Sequence, residues 1–244
     1  MGSERPKPVV YADGGTKAHI HAIHELLDRY IGAKPNAVHV LEGGAADRDY
    51  FRFPPAVAIT GLDISAKELA DDRYSEKIIG DIQTYKTDKT YDLVICWYVL
   101  EHVMNPQRAL LNLLEYTMND GLLVIAVPNV WSLKGLVTKF TPSVIHKAVR
   151  SLALSSNGDY DPFKTYLRFS MSPAKLIKQC SAYEILYWGY SGIVVRRAAR
   201  LVYQPLIWLL RMLSFGMLRP ELSEFIFVVR KRARSSPVPP ARGA

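Results

Sequence analysis

Two short apolar runs, each closed by an acid, constrain this 244-residue chain more than any other feature. Residues 38–63 read VHVLEGGAADRDYFRFPPAVAITGLD. Residues 37–41 predict one strand, closed by Glu42, Gly43 and Gly44. Residues 57–62 predict a second, closed by Asp63. Two parallel strands that deliver a glycine turn and a distal carboxylate to one edge of a sheet make a nucleoside pocket. Glycine in the turn lets the backbone approach a ligand with no Cβ in the way. A carboxylate offers two oxygens to the two vicinal hydroxyls of a ribose.

The pattern then repeats. Asp63, Ile64 and Ser65 supply capping residues for a helix over 65–71. Residues 74–79 form a short third strand ahead of Gly80 and Asp81. Tyr91–Trp97 (YDLVICW) is a nearly continuous apolar run, as expected of a strand covered on both faces. Asn105 and Pro106 open a helix with proline in its first turn, and Ala109, Leu110, Leu113, Leu114 and Met118 form its buried stripe. Asp120 and Gly121 turn the chain into another buried strand over 122–127. This alternation predicts an α/β fold, a parallel sheet with helices on both faces.

The flanks are less regular. Residues 1–14 are polar and read as mobile at the start. Ile20, Ile23, Leu26, Leu27, Tyr30 and Ile31 recur at helical spacing, with Gly32 as a stop. His19, His21 and His24 on that helix read as surface or capping residues, since no third acid or cysteine accompanies them. Residues 131–154 read as helical pieces, 155–165 as a polar loop, and Ser172-Pro173 as the start of a helix to Gln179. Residues 183–190 and 224–229 predict a late antiparallel strand pair.

Between those two strands lies an apolar stretch, 201–218, flanked and interrupted by Arg196, Arg197, Arg200, Arg211 and Arg219. Arg211, Pro205, Gln204 and Gly216 argue against a membrane span, because a central charge costs ~2.5–3.5 kcal/mol and no clean run reaches ~20 residues. The stretch reads either as an insert packed on the domain or a second subunit, or as an amphipathic helix at a membrane surface.

The net charge of +8 is uneven, with a basic excess after Lys164 and a tail carrying Arg230, Lys231, Arg232 and Arg234. That reads as a solvated surface with a basic tail, with nucleic acid or an anionic membrane surface as the alternatives. No basic groove interleaved with aromatics points to nucleic acid. Cys96 and Cys180 are far apart, giving neither a disulfide framework nor a metal spacing, so a reducing, cytoplasmic compartment and no metal are expected. The N-terminus lacks the apolar run of a signal peptide.

Taken in order, the segments VLEGGAAD, GLDIS, GDIQTY, YDLVICWYVLEHV and GLLVIAVPN resemble the class I S-adenosylmethionine-dependent methyltransferases, in particular their bacterial small-molecule branch. The resemblance covers roughly residues 38–129. It implies a Rossmann-like doubly wound α/β sheet, mostly parallel with an antiparallel last strand, helices on both faces, in a single domain over 1–244. Within it, 1–36 would be an N-terminal helical extension, 130–182 a substrate-side helical insert, 191–223 the apolar and basic insert, and 231–244 a flexible basic tail.

The resemblance also implies S-adenosylmethionine as cofactor. Glu42, Gly43 and Gly44 would meet its methionine part, Asp63 and Ile64 its ribose, and Asp81 and Ile82 its adenine, with Cys96 and Trp97 lining the site. Tyr98, Tyr160, Tyr166 and Arg168 would contact a small-molecule acceptor. His102 is the candidate base for an oxygen or nitrogen nucleophile on a small, aromatic or lipophilic acceptor. The pattern departs from the family at one place. Acid-x-Gly-x-Gly is usual there, whereas Glu-Gly-Gly-Ala-Ala-Asp puts Ala46 where the next glycine would stand. The runner-up reading is therefore a catalytically silent binding or scaffold protein of the same fold that uses the apolar insert against a partner or a membrane. A nicotinamide-binding domain fits less well, since it prefers Gly-x-Gly-x-x-Gly.

Overall fold

The computed structural model describes residues 6–11, 15–45, 50–140, 165–166, 168–192 and 197–232. Eight strands form one sheet: β1 (Val9–Tyr11), β2 (His39–Gly43), β3 (Ala58–Asp63), β4 (Glu76–Ile79), β5 (Tyr91–Trp97), β6 (Thr117–Pro128), β7 (Glu184–Gly192) and β8 (Leu222–Arg230). Their order across the sheet is β1-β7-β8-β6-β5-β2-β3-β4. All neighbouring pairs are parallel except the two that β8 makes with β6 and β7. This is the doubly wound, mostly parallel sheet with an antiparallel last strand that the sequence predicts.

The central strands are buried on both faces because their side chains alternate between two cores. Val94, Leu123, Ile125, Phe225 and Phe227 face one core, together with Leu110 and Leu113 of α2 (Pro106–Tyr116). Leu93, Ile95, Val124, Ile226 and Val228 face the other, together with Ile23 and Leu27 of α1 (Thr16–Gly32). Each such side chain contributes roughly 1.5–3 kcal/mol by leaving water. α2 starts where proline and a cap predict it: Pro106 occupies its first turn, and the Asn105 side chain accepts from the Arg108 N–H at 3.1 Å. Among the described residues the remaining helices are α3 (Leu133–Phe140), α4 (Pro173–Gln179) and α5 (Arg197–Leu213), with a 3-10 turn at Phe169–Met171.

Three expectations are corrected. Residues 9–11, read as part of a mobile leader, form β1 and pair in parallel with Gly189, Tyr190 and Ser191 of β7. The helix expected over 65–71 is a series of turns. Asp63 Oδ1 accepts from the Ser65 N–H at 2.8 Å and Asp71 Oδ1 from the Arg73 N–H at 2.9 Å, and so short a segment gains too few helical bonds to offset nucleation. His19 is not a surface residue. It is fully buried and bonds Tyr187 OH at 2.6 Å, fitting beside Gly189, where a Cβ would lie 2.5 Å from the imidazole Cε1.

Candidate active site

Strands β2, β3 and β4 run one way from the sheet centre and β5 and β6 the other, so the switch point lies between β2 and β5. Ligands of open α/β sheets bind outside the carboxyl ends of the strands at such a point. Three acids stand along the carboxyl edge from that point outward. Glu42 and Gly43 close β2, Asp63 closes β3, and Gly80 and Asp81 follow β4.

Gly44 turns away from β2 with φ +85°, and its N–H donates to Leu62 O at 2.8 Å. Any other residue would be strained there. Ala45, next in the departure from the family pattern, points its methyl inward against Leu69 and Tyr74. Ala46 and Tyr160 lie outside the described residues.

Glu42 Oε2 accepts from Arg73 Nη2 at 2.8 Å and from Tyr74 OH at 2.7 Å. Burial, and then the Glu42 carboxylate, push the Tyr74 phenol well above its usual range. Glu42, Gly44, Tyr50, Phe51, Arg73, Ile95 and Trp97 line a small cavity, with the Phe51 and Trp97 rings edge-to-face at 5.1 Å. Asp63 is half-buried, and burial raises its carboxyl to about 6, partly opposed by the Ser65 N–H. Asp81 accepts from both the N–H and the side-chain amide of Gln83, and Gln83 Oε1 in turn accepts from the Asn105 N–H at 2.6 Å. The end of β4 is thereby tied to the start of α2.

Two expected cofactor contacts are placed otherwise. Cys96 is fully buried in the core on the α2 side, because it alternates with Ile95 and Trp97 along β5. Burial pushes its thiol far above the usual range. Ile82 also turns into that core, against the position a Gly43 Cβ would take, whereas Ile64 is exposed.

The loop after β5 and the segment from residue 165 carry the described residues expected at the acceptor. Tyr98 holds φ 57°, uncommon for a bulky residue. The Tyr166 N–H donates to Glu101 O at 2.7 Å, and the Arg168 guanidinium lies 6.0 Å from the Tyr166 ring centroid. Arg168, Phe169 and Ser170 border an open recess of about 510 Å³ with Met104, Asn105, Pro106 and Gln107. His102 Nε2 lies 4.0 Å from Glu101 Oε1.

A buried polar cluster here went unforeseen. Glu224 of β8 accepts from Ser191 Oγ at 2.8 Å and from Thr16 Oγ1, faces the Tyr98 hydroxyl, and lies 3.7 Å from Lys134 Nζ. Burial works against its ionisation, but Lys134 and the three hydroxyls outweigh burial and hold its carboxyl below the usual range. At Glu101 burial prevails, with a backbone hydrogen bond and Lys134 opposing it only in part. Glu101 is 4% exposed, its Oε2 has no hydrogen-bond partner among the described residues, and burial raises its carboxyl to about 8. The sequence signal for Glu224 was an acid standing at the head of an apolar strand, where a charge persists only if paired.

A glycine turn at positive φ and separate carboxylates at three strand ends suit a nucleoside that carries an amino acid. A family model described as a methyltransferase domain matches residues 17–158. The chain belongs to this family. Its sheet is that of the class I S-adenosylmethionine-dependent methyltransferases. This methyltransferase domain aligns with an S-adenosylmethionine-dependent methyltransferase of Clostridium acetobutylicum ATCC 824 at a TM-score of 0.54 and 9% identity, over 89% of this chain and 92% of that one. It aligns with Burkholderia thailandensis 1,6-didemethyltoxoflavin-N1-methyltransferase, crystallised with its namesake compound and S-adenosylhomocysteine, at 0.50 and 15%, over 89% and 80%. Both likenesses concern the fold. Over 48 residues it is 42% identical to the ubiquinone biosynthesis O-methyltransferase of Rickettsia prowazekii (strain Madrid E), covering 20% of this chain and 19% of that protein. The match to these curated relatives thus spans about a fifth of their length.

Proposed function

We propose that this methyltransferase domain transfers a methyl group from S-adenosylmethionine to an oxygen or nitrogen of a small, lipophilic or aromatic acceptor. The observation that carries the reading is the set of strand ends: Glu42 with the positive-φ Gly44, then Asp63, then Asp81, on one edge at the switch point. The partial likeness to ubiquinone biosynthesis O-methyltransferases supports an oxygen nucleophile.

The cofactor supplies the methyl as an electrophile, so the protein's task is to position and to manage protons. Asp63 accepts from the ribose hydroxyls, Asp81 from the adenine amino group, and Glu42 meets the charged end of the methionine. Gly44 keeps the turn open for them, and Trp97, Phe51 and Tyr50 keep water from the cavity behind it. On the acceptor side, His102 takes the proton that an acceptor hydroxyl or ammonium must lose. Tyr98 and the exposed Arg168 flank the approach. Glu224, held ionised, pairs with Lys134 and faces Tyr98.

Calorimetry with S-adenosylhomocysteine tests the cofactor half. Micromolar binding that Asp63→Ala weakens is the expected result. Turnover is then read on a panel of phenols and amines with and without apolar tails. Binding with no turnover on that panel would instead favour the catalytically silent reading.

A further inference from the structure

Helix α5 turns an apolar face to solvent. At 100° per residue, Ile207, with Tyr203 and Leu210 beside it, points into the protein, and Ile207 is 5% exposed. The opposite arc carries Leu201, Val202, Trp208, Met212 and Leu213, with exposures of 81%, 74%, 64%, 51% and 66%. The turn that follows adds Phe215 at 95% and Met217 at 85%. Contiguous apolar surface of this kind marks an interaction site. On the same helical projection Arg200, Gln204 and Arg211 line one rim between the inward and outward faces. Residues 196–219 hold five arginines and no acid. Glu221, just beyond, accepts from Arg211 at 2.8 Å and Arg219 at 2.9 Å, fixing both beside the patch.

We propose that α5 and the 214–219 turn dock on an anionic phospholipid surface, with the apolar arc at the acyl boundary and the arginines at the phosphates. A second copy of the same face would set arginine against arginine, whereas lipid phosphates complement them. The aromatic and aliphatic composition suits the interface, and Pro205 lies within the helix. Among the described residues no helix is long and apolar enough to cross a membrane.

The location gives the docking a purpose. β7 ends at Gly192 and β8 begins at Leu222, both on the carboxyl edge of the sheet, where Glu224 pairs with Pro128 and Ser191. A docked α5 therefore brings the acceptor side of the site to the bilayer. The acceptor class that follows is a lipophile resident in the membrane; this step rests on the methyl-transfer reading.

Co-sedimentation of the full chain with vesicles of phosphatidylglycerol and phosphatidylcholine in equal parts tests the proposal, with pure phosphatidylcholine as the contrast. The expected result is retention on the anionic vesicles, roughly fivefold stronger for each arginine engaged and weakened by salt. The double variant Trp208→Glu, Phe215→Glu should lose at least about tenfold in partitioning, with melting temperature and S-adenosylhomocysteine affinity unchanged. Equal recovery in the supernatant with both vesicles, binding indifferent to the double variant, or a dimer that the variant dissociates would each overturn it. S-adenosylhomocysteine binding on the same samples separates the two readings. Vesicle binding without cofactor binding sinks methyl transfer and leaves the docking surface; cofactor binding without vesicle binding does the reverse.

Discussion

Gly44 and Val99 approach so closely that no side chain fits between them: a Cβ on Gly44 would lie 2.1 Å from Val99 Cγ2. The end of β2 is therefore packed directly against the loop after β5, across the switch point. Gly44→Ala meets two separate penalties. The left-handed backbone, at φ +85°, costs roughly 1–2 kcal/mol for an alanine, and the Val99 overlap adds to it. Thermal unfolding should show the loss, and S-adenosylhomocysteine binding should fall with it. The double variant Gly44→Ala, Val99→Ala should regain the steric part alone. Full recovery in the double variant would mean that φ imposes no strain there.

Asp63 sets a pH dependence for cofactor binding. Burial raises its carboxyl from 3.8 to about 6. In the proposed role the ionised form would accept two ribose hydroxyls, so ligand binding would favour proton release. Affinity for S-adenosylhomocysteine should be level above about pH 6 and fall by up to about tenfold per unit below it. Asp63→Ala should weaken binding about ten- to a hundredfold, the value of hydrogen bonds to a charged group, and abolish that pH dependence. A wild-type profile flat down to pH 4.5 would show that Asp63 does not carry the ribose.

Much of this arrangement is legible in the sequence, because two local signals coincide. Continuous apolar runs such as 91–97 announce doubly covered strands, and an acid directly after a run is placed at the ligand edge by topology alone. What was not legible depends on partners distant in sequence. Val9–Tyr11 has three residues and no turn chemistry of its own, and it becomes a strand only because β7 offers an edge 180 residues later. Cys96 stands beside Trp97 in the chain but on the other face of β5, an alternation that an unbroken apolar run conceals. Glu224 looked like the polar start of a strand, and its meaning comes from Thr16, Ser191, Tyr98 and Lys134, which four separate segments deliver.

Glu101 makes a stability prediction whose sign can be worked out. Burial raises its carboxyl from 4.5 to about 8. Between those values the folded chain keeps a proton that the unfolded chain has lost. This contribution is complete below about pH 4.5 and drains away as pH rises through 8. Glu101→Gln preserves the neutral shape and removes the titration. Across urea unfolding series the variant should gain on the wild type steadily as pH rises from about 5 to 8. A constant difference between the two proteins would mean that Glu101 titrates near its ordinary value.

His102 is the test of chemistry as distinct from binding. A positioned base contributes about 10²–10⁴ to the rate. That contribution shrinks as the acceptor becomes more acidic, since an acceptor already ionised has no proton to give. His102→Gln should therefore lower kcat by about that factor on weakly acidic phenols and by little on strongly acidic ones. S-adenosylhomocysteine affinity should not move, because the ring is proposed for the acceptor side and its ion-pair neighbour is Glu101, at 4.0 Å, rather than a strand-end acid. A residue that merely packs the loop would depress all acceptors alike, and the dependence on acceptor pKa discriminates between the two roles without a structure of the complex.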